Sequence, residues 1–134
     1  MSKPVVDHIG IIVADLEAGI ATFQPLFGGE PPSRKEMPEV GLRIAVFAAA
    51  NVAIELLQYT GTNDELAKRT MGEAPGVNHI SFGVERLAEA IAAMQAAGAE
   101  TMDGFPRQGA HGRVAFFEPA STGGVRLEVC EPKT

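Results

Sequence analysis

Four ionisable side chains interrupt runs of Val, Ile, Leu and Ala that are otherwise typical of buried strands: His8, Glu55, His79 and Glu128. Alternation along a strand puts each of them on the face opposite its bulky apolar neighbours. Two imidazoles and two carboxylates suit a divalent ion such as Zn²⁺, Co²⁺, Ni²⁺, Mn²⁺ or Fe²⁺. Four such ligands on an octahedral ion leave two positions for adjacent substrate oxygens, so the residue types predict a catalytic metal site.

Each of these residues also has an ordinary explanation when it is taken alone. A histidine in a strand is more often a hydrogen-bonded structural residue than a ligand, and a glutamate beside apolar residues often belongs to a solvated sheet face. An internal repeat favours the metal site instead. Glu55 follows His8 by 47 residues, and Glu128 follows His79 by 49. A twofold axis relating the two halves would bring the four side chains together.

The repeat is visible over one segment of 17 residues in each half, with a constant offset of 71. The matched pairs are His8/His79, Ile9/Ile80, Val13/Val84, Leu16/Leu87, Ile20/Ile91, Ala21/Ala92 and Gln24/Gln95. Each half therefore predicts a strand, a helix and then further strands.

The predicted elements of the first half are a strand over residues 4–13, a helix capped by Asp15, a loop over 30–41, and a hairpin of 42–50 with 52–59. A short helix is predicted over 64–71. In the second half they are a strand around His79, a helix ending at Gly98, a glycine-rich loop over 104–112, and strands over 113–117 and 125–130.

Length and composition predict one domain over residues 1–134, made of repeats 1–60 and 76–134 joined by a connector, 61–75. A net charge of −6 disfavours a nucleic-acid partner. The single Cys130 excludes an internal disulfide and suits a reducing compartment. The first residues lack the apolar core of a signal peptide, and no apolar run is long enough for a bilayer, so we expect a cytoplasmic protein without a membrane partner.

Five short motifs resemble the vicinal oxygen chelate superfamily, the glyoxalase/bleomycin resistance/dioxygenase group, and within it the methylmalonyl-CoA epimerase family most closely. The motifs are residues 6–11 with 14–17, 54–57, 78–80, 109–117 and 124–128. The loop Gly109-Ala110-His111-Gly112 and the last glutamate strand are the more specific part. The resemblance implies an α+β fold of paired βαβββ modules that form an open, metal-centred barrel with helices outside. It also implies that His8, Glu55, His79 and Glu128 are the metal ligands, and that the chain forms a homodimer.

The activity implied is metal-dependent epimerisation of a 2-carboxyacyl-CoA resembling methylmalonyl-CoA. A proton alpha to the thioester is moved through a metal-stabilised enolate. Glu128 is the first candidate for the base. Some related epimerases place a second glutamate in the strand that corresponds to residues 42–45, where this chain has Leu-Arg-Ile-Ala, and Glu39 precedes that strand. Either Glu55 makes the second transfer, or the protein catalyses another reaction.

Three residues near the glycine-rich loop are candidates for binding substrate. The imidazole of His111 is suited to a carboxylate or carbonyl, and the guanidinium groups of Arg113 and Arg107 are suited to a phosphate or carboxylate. The alternative is that all three are ordinary solvated loop residues.

Two further functions fit the same resemblance. A glyoxalase-type lactoylglutathione lyase resembles the site in its ligand set, and a non-catalytic small-molecule-binding or resistance protein of the same fold usually lacks the ligand residues. A ring-cleaving dioxygenase is disfavoured, because those relatives resemble a site of two histidines and one carboxylate, in which Glu55 would be surplus.

Overall fold

The computed structural model of the chain describes residues 3–132. Its elements are β1 (Val5–Ile12), α1 (Leu16–Phe27), β2 (Ser33–Met37), β3 (Leu42–Ala48), β4 (Ala53–Tyr59), α2 (Glu65–Met71), β5 (Gly76–Gly83), α3 (Leu87–Ala96), β6 (Arg107–Gln108), β7 (Gly112–Phe116) and β8 (Leu127–Pro132). Helices and mixed sheets confirm the predicted α+β class. Within the described residues, no helix is long and apolar enough to cross a bilayer.

The described residues form two compact units, residues 8–78 and residues 79–132 with 3–7, here called the first and second unit. The predicted repeat boundaries, 1–60 and 76–134, are not tested by this division and remain a prediction. The predicted absence of a signal peptide concerns in part Met1 and Ser2, which lie outside the described residues.

The first unit is a four-stranded sheet with one helix on its face. The strand order is β2-β3-β4-β1, with β1 parallel to β4 and the other pairs antiparallel. Alternate residues of these strands pack against α1 and exclude water, which is the main stabilising term of such a layer. The buried residues of this core are Leu16, Ile20, Ala45, Phe47 and Leu56, with Ile11, Val13, Phe23 and Ile54 against them.

The second unit repeats this plan. Its strand order is β5-β8-β7-β6, with β5 parallel to β8 and the other pairs antiparallel. The core against α3 consists of Leu87, Ala115, Phe117 and Val129, with Phe82, Val84, Ile91, Met94, Ala99 and Phe105 packed on it. Both units run strand, helix, three strands, so the predicted pair of βαβββ modules is present.

Helix α1 begins as predicted, because the Asp15 carboxylate accepts a hydrogen bond of 3.0 Å from the Ala18 N–H. It ends at Gly28, whose φ of 69° lies in the region that favours glycine. The predicted hairpin of β3 and β4 and the short helix α2 are also confirmed.

Two segments predicted as loops are wrong in part. Residues 30–41 contain β2 and a 3₁₀ turn, Pro38–Val40, and the loop 104–112 contains β6. Both strands lie at the edge of their sheet. Edge strands carry polar and charged residues that discourage pairing with other chains, so Ser33-Arg34-Lys35-Glu36 lacks the apolar alternation by which strands are recognised.

Candidate functional site

The parallel pairing of β1 with β4 brings His8 and Glu55 together in the first unit. The Cα partner of Glu55 is Gly10, and that of His8 is Ala53, so these residues share one face. Because Gly10 has no side chain, the Glu55 carboxylate has room to reach along β1 towards the imidazole. His8 Nδ1 lies 3.4 Å from Glu55 Oε2, and the two residues are only 5% and 4% exposed.

The second unit contains the equivalent pair. The Cα partner of Glu128 on β5 is Ser81, which occupies the position of Gly10 in the repeat and is also small. His79 Nε2 lies 3.8 Å from Glu128 Oε1, and both residues are buried. The rings of His79 and Phe116 pack edge to face, with their centroids 5.0 Å apart. This aromatic contact fixes the imidazole beside the carboxylate.

Each pair fits one half of a divalent metal site. Two ligands bound at about 2.1 Å and at angles of 90–109° lie about 3.0–3.4 Å apart, which the 3.4 Å separation of His8 and Glu55 matches, whereas the 3.8 Å separation of His79 and Glu128 is somewhat longer. Burial of a carboxylate is costly unless a cation or hydrogen bonds balance its charge. The chemistry of the donors, one imidazole nitrogen and one carboxylate oxygen in each unit, therefore suits a borderline divalent ion.

The strand that carries each glutamate also caps the helix of its unit. The Leu16 N–H donates to Gln58 Oε1 at 2.7 Å, and the Leu87 N–H donates to Glu131 Oε2 at 2.7 Å. Gln58 and Glu131 each stand three residues after the glutamate of the pair, and odd spacing on a strand puts them on the opposite, helix-facing side. The caps therefore fix which face of β4 and β8 the glutamates occupy.

The structure places both predicted substrate-binding residues at or just before the start of β7. His111 is exposed and precedes β7. Arg113 is exposed on β7, at the parity opposite to Phe116. Since Phe116 is the Cα partner of Glu128, Arg113 lies on the other face of the sheet.

Strand β3 supplies no second carboxylate beside Glu55. Its residues on the Glu55 face are apolar: Leu42, Ile44, Val46 and Ala48. Arg43 points to the opposite face, where its side-chain nitrogens lie 3.6 Å from Glu17 and 3.4 Å from Glu36. Glu39 is exposed in the turn before β3.

The charged cluster on that opposite face lies apart from the candidate metal ligands. Arg34 donates to Glu17 through both terminal nitrogens, with Nη2 2.8 Å from Oε1. This hydrogen bond lowers the pKa of Glu17 and raises the pKa of Arg34. Both side chains are exposed, so the pair contributes little to stability.

Comparison with known proteins shows the family of the chain. Residues 7–117 match the family described as the Glyoxalase/Bleomycin resistance protein/Dioxygenase superfamily, and the chain belongs to that superfamily. It is 32% identical over 126 residues to the ethylmalonyl-CoA/methylmalonyl-CoA epimerase of Cereibacter sphaeroides, covering 92% of this chain and 94% of that protein. It is 31% identical over 128 residues to the uncharacterised protein YqjC of Bacillus subtilis, covering 95% and 91%.

Solved structures give the same fold. The methylmalonyl-CoA epimerase of Mycobacterium tuberculosis has a TM-score of 0.82 and 26% identity, covering 97% of this chain and 89% of that one. A methylmalonyl-CoA epimerase in complex with methylmalonyl-CoA and NH₄⁺ has a TM-score of 0.79 and 26% identity, covering 99% and 97%.

Proposed function

We propose that this protein is a metal-dependent epimerase of a 2-carboxyacyl-CoA such as methylmalonyl-CoA. The observation that carries the proposal is the buried histidine–glutamate pair in each unit, His8 with Glu55 and His79 with Glu128. Epimerases acting on methylmalonyl-CoA among both the sequence relatives and the solved structures support the substrate class. We infer that the two pairs bind one divalent ion of the Co, Zn, Ni, Mn or Fe group.

A divalent ion would supply Lewis-acid stabilisation of the negative charge that develops on substrate oxygens when the alpha proton leaves. In this proposal the imidazoles of His8 and His79 bind the ion and transfer no proton. The Glu128 carboxylate accepts the proton from the alpha carbon or returns it. The ring of Phe116 contacts His79, and Phe116 is also the Cα partner of Glu128, so an apolar residue lies beside that glutamate.

Glu55 is assigned as the second base, which acts on the face of the alpha carbon opposite to Glu128. Epimerisation needs proton removal on one face of the carbon and delivery on the other. Among the described residues of the first unit, β3 offers only apolar side chains on the face of Glu55. Glu55 itself is therefore the carboxylate available on that face. It is buried, as expected of a base in a site that excludes water.

The test is solvent deuterium uptake at the alpha carbon of methylmalonyl-CoA, followed by NMR in D₂O with and without added divalent metal. Metal-dependent uptake is the expected result. Elemental analysis of the purified protein and of Glu55→Ala provides the parallel test of the metal site. Wild-type protein that neither contains nor responds to metal would refute the epimerase proposal and favour a small-molecule-binding protein of the same fold.

A glyoxalase-type lyase is the second candidate, because Glu55 completes a ligand set of two histidines and two glutamates while β3 lacks a further carboxylate. Such an enzyme would convert the glutathione hemithioacetal of methylglyoxal and leave methylmalonyl-CoA undeuterated. Assaying both compounds with the same metal-loaded sample separates the two reactions.

The assembly and location follow from the resemblance and from Cys130. We propose a cytoplasmic homodimer, since the family suggests a dimer and the buried Cys130 is a free thiol. Sedimentation equilibrium of the metal-loaded chain measures the assembly directly, and a mass of one chain of 14.1 kDa would contradict it.

A further inference from the structure

We propose that Arg107 binds an oxyanion of the substrate on the same sheet face as Glu128. The inference rests on the proposed function and adds a substrate-binding residue to it. The chemical class of the ligand group is a carboxylate or phosphate, both of which a guanidinium binds through paired N–H donors.

Strand register puts Arg107 on the Glu128 face of the second unit. The Cα partner of Arg107 is Val114, and that of Val114 is Cys130, two residues after Glu128. Directly opposed residues of antiparallel strands share a face, and residues two apart on one strand do as well. Phe116, the partner of Glu128, lies two residues after Val114 and so completes the same face.

The Nε–H of Arg107 is an unsatisfied donor within that face. Arg107 is partly buried, and its buried Nε donates to no acceptor among residues 3–132. Other arginines of the chain do have carboxylate partners, Arg34 with Glu17 and Arg43 with Glu36. A buried guanidinium donor without an acceptor is energetically unfavourable, and an anionic ligand would supply that acceptor. Arg107 is therefore placed to bind an anion.

The other unit has a cation at the same place in its sheet. The Cα partner of Lys35 on β2 is Ile44, and the partner of Ile44 is Leu57, two residues after Glu55. This is the register that relates Arg107 to Glu128. The duplicated modules thus both put a basic residue on the outermost strand of the carboxylate face. Lys35 is exposed, whereas Arg107 is partly buried.

The position of Arg107 limits which part of the substrate it binds. Two strand spacings separate β6 from β8, so the two backbones lie about 10 Å apart across the sheet. Arg107 therefore binds a charged group of the substrate beside the reacting C–H rather than the C–H itself. A 2-carboxyacyl-CoA offers two sources, the acyl carboxylate and the phosphates of the CoA moiety.

Equilibrium binding to the metal-loaded protein tests the proposal without requiring turnover. Calorimetric titration with methylmalonyl-CoA compares wild type with Arg107→Gln, Arg107→Lys and Arg113→Gln. Arg107→Gln is expected to weaken binding by about 10- to 100-fold, the size of lost charge-assisted hydrogen bonds. Arg107→Lys is expected to fall between it and wild type. Arg113→Gln removes the same charge from the opposite face and is the matched control, expected within about twofold of wild type.

Titration with propionyl-CoA identifies the anion, because propionyl-CoA has the phosphates but no acyl carboxylate. An equal loss for both ligands in Arg107→Gln assigns the phosphates, and a loss confined to methylmalonyl-CoA assigns the carboxylate. Metal content and thermal unfolding of each variant establish that the site and fold are intact.

The outcomes separate this inference from the proposed function. Binding of methylmalonyl-CoA by wild type without deuterium uptake refutes the epimerase and leaves the anion site standing. Deuterium uptake with unchanged binding in Arg107→Gln, or an equal loss in Arg113→Gln, overturns the role of Arg107. If wild type does not bind methylmalonyl-CoA, both proposals fail.

Discussion

At the scale of single residues, the two histidines have surroundings that a purely structural imidazole does not need. His79 is 4% exposed, and its Nε2 lies 3.8 Å from a carboxylate oxygen of the similarly buried Glu128. An acidic side chain beside each buried imidazole is what the proposed metal site requires, since the ion would balance the charge. The residue types alone allowed this prediction, because the repeat paired histidine with histidine and glutamate with glutamate.

Replacing His79 by alanine removes a nitrogen donor and leaves Glu128 in place. Changes to groups that only support metal ligands weaken metal binding 10- to 100-fold, so loss of a direct donor is expected to exceed about 100-fold. Competition of wild type and His79→Ala with a metal-responsive chelator dye measures the difference. His111→Ala, which removes an exposed histidine, is expected to match wild type. An unchanged affinity in His79→Ala would contradict the assignment of His79 as a ligand.

Glu128→Gln and Glu55→Gln distinguish a base from a residue that only holds the ion. Each change keeps shape and an oxygen donor but removes the proton-accepting carboxylate. If both glutamates transfer protons, each variant is expected to lower epimerisation by about 10²–10⁴-fold, the usual contribution of general acid–base catalysis. Coupled optical assay of epimerisation and NMR of deuterium uptake are measured on the same samples. A variant that still takes up deuterium but no longer epimerises has kept the base on one face of the carbon. The glutamate replaced in that variant is then the base of the other face.

The sheet faces on which Arg107 and Arg113 lie could not be predicted from residue types alone. The chemistry of Arg107 and Arg113 is the same, and the sequence offered no way to tell which of them lies on the face of Glu128. The face of each arginine depends on the register of β6 against β7 and of β7 against β8. Strand β6 has only two residues and no apolar alternation, so no periodicity could have revealed it.

At the scale of elements, the strongest backbone constraint lies where β7 begins. Gly112 has a φ of 154°, and a Cβ added there would lie 2.1 Å from the carbonyl oxygen of Glu131. The Gly109 N–H also donates to the Gly112 carbonyl at 2.6 Å, closing the loop before the strand. The sequence motif predicted a turn here, but the close approach of β7 to β8 is a property of the folded sheet.

Gly112→Ala is expected to destabilise the fold by roughly 3 kcal/mol, because β7 and β8 must separate to admit the methyl group. Gly124→Ala is the control. Gly124 also has a positive φ, 85°, but a Cβ there meets nothing within 4 Å. Its cost should be only about 1–2 kcal/mol, that of a left-handed conformation. Urea unfolding followed by circular dichroism measures both, and equal losses would show that the contact with Glu131 is unimportant.

At the scale of the whole molecule, each unit contains one histidine and one glutamate of the proposed metal site, in the same order along the chain. A repeat of strand, helix and further strands was predictable because helix periodicity and strand parity recur with one offset, and the family resemblance supplied its βαβββ form. The edge strands were not predictable, since those depend on pairing between segments rather than on local pattern.

If His8, Glu55, His79 and Glu128 bind one ion, as we propose, metal is expected to stabilise both units together. At a free metal concentration 100 times the dissociation constant, the free energy of unfolding rises by about 2.7 kcal/mol. Amide hydrogen exchange on β4 and on β8 should slow to the same extent on adding metal, and His79→Ala should abolish both effects. Protection confined to one unit would contradict a shared ion.

The helix caps described above have a consequence for the origin of the chain. The first unit holds its histidine, its glutamate and the Gln58 cap of α1 within one uninterrupted segment, and the second unit does the same with Glu131. One ancestral gene segment of half the present length would therefore have encoded a complete set of parts, and two identical copies would supply two nitrogen and two oxygen donors. In the present chain the two caps differ, one being an amide and the other an acid, whereas each half retains one histidine and one glutamate.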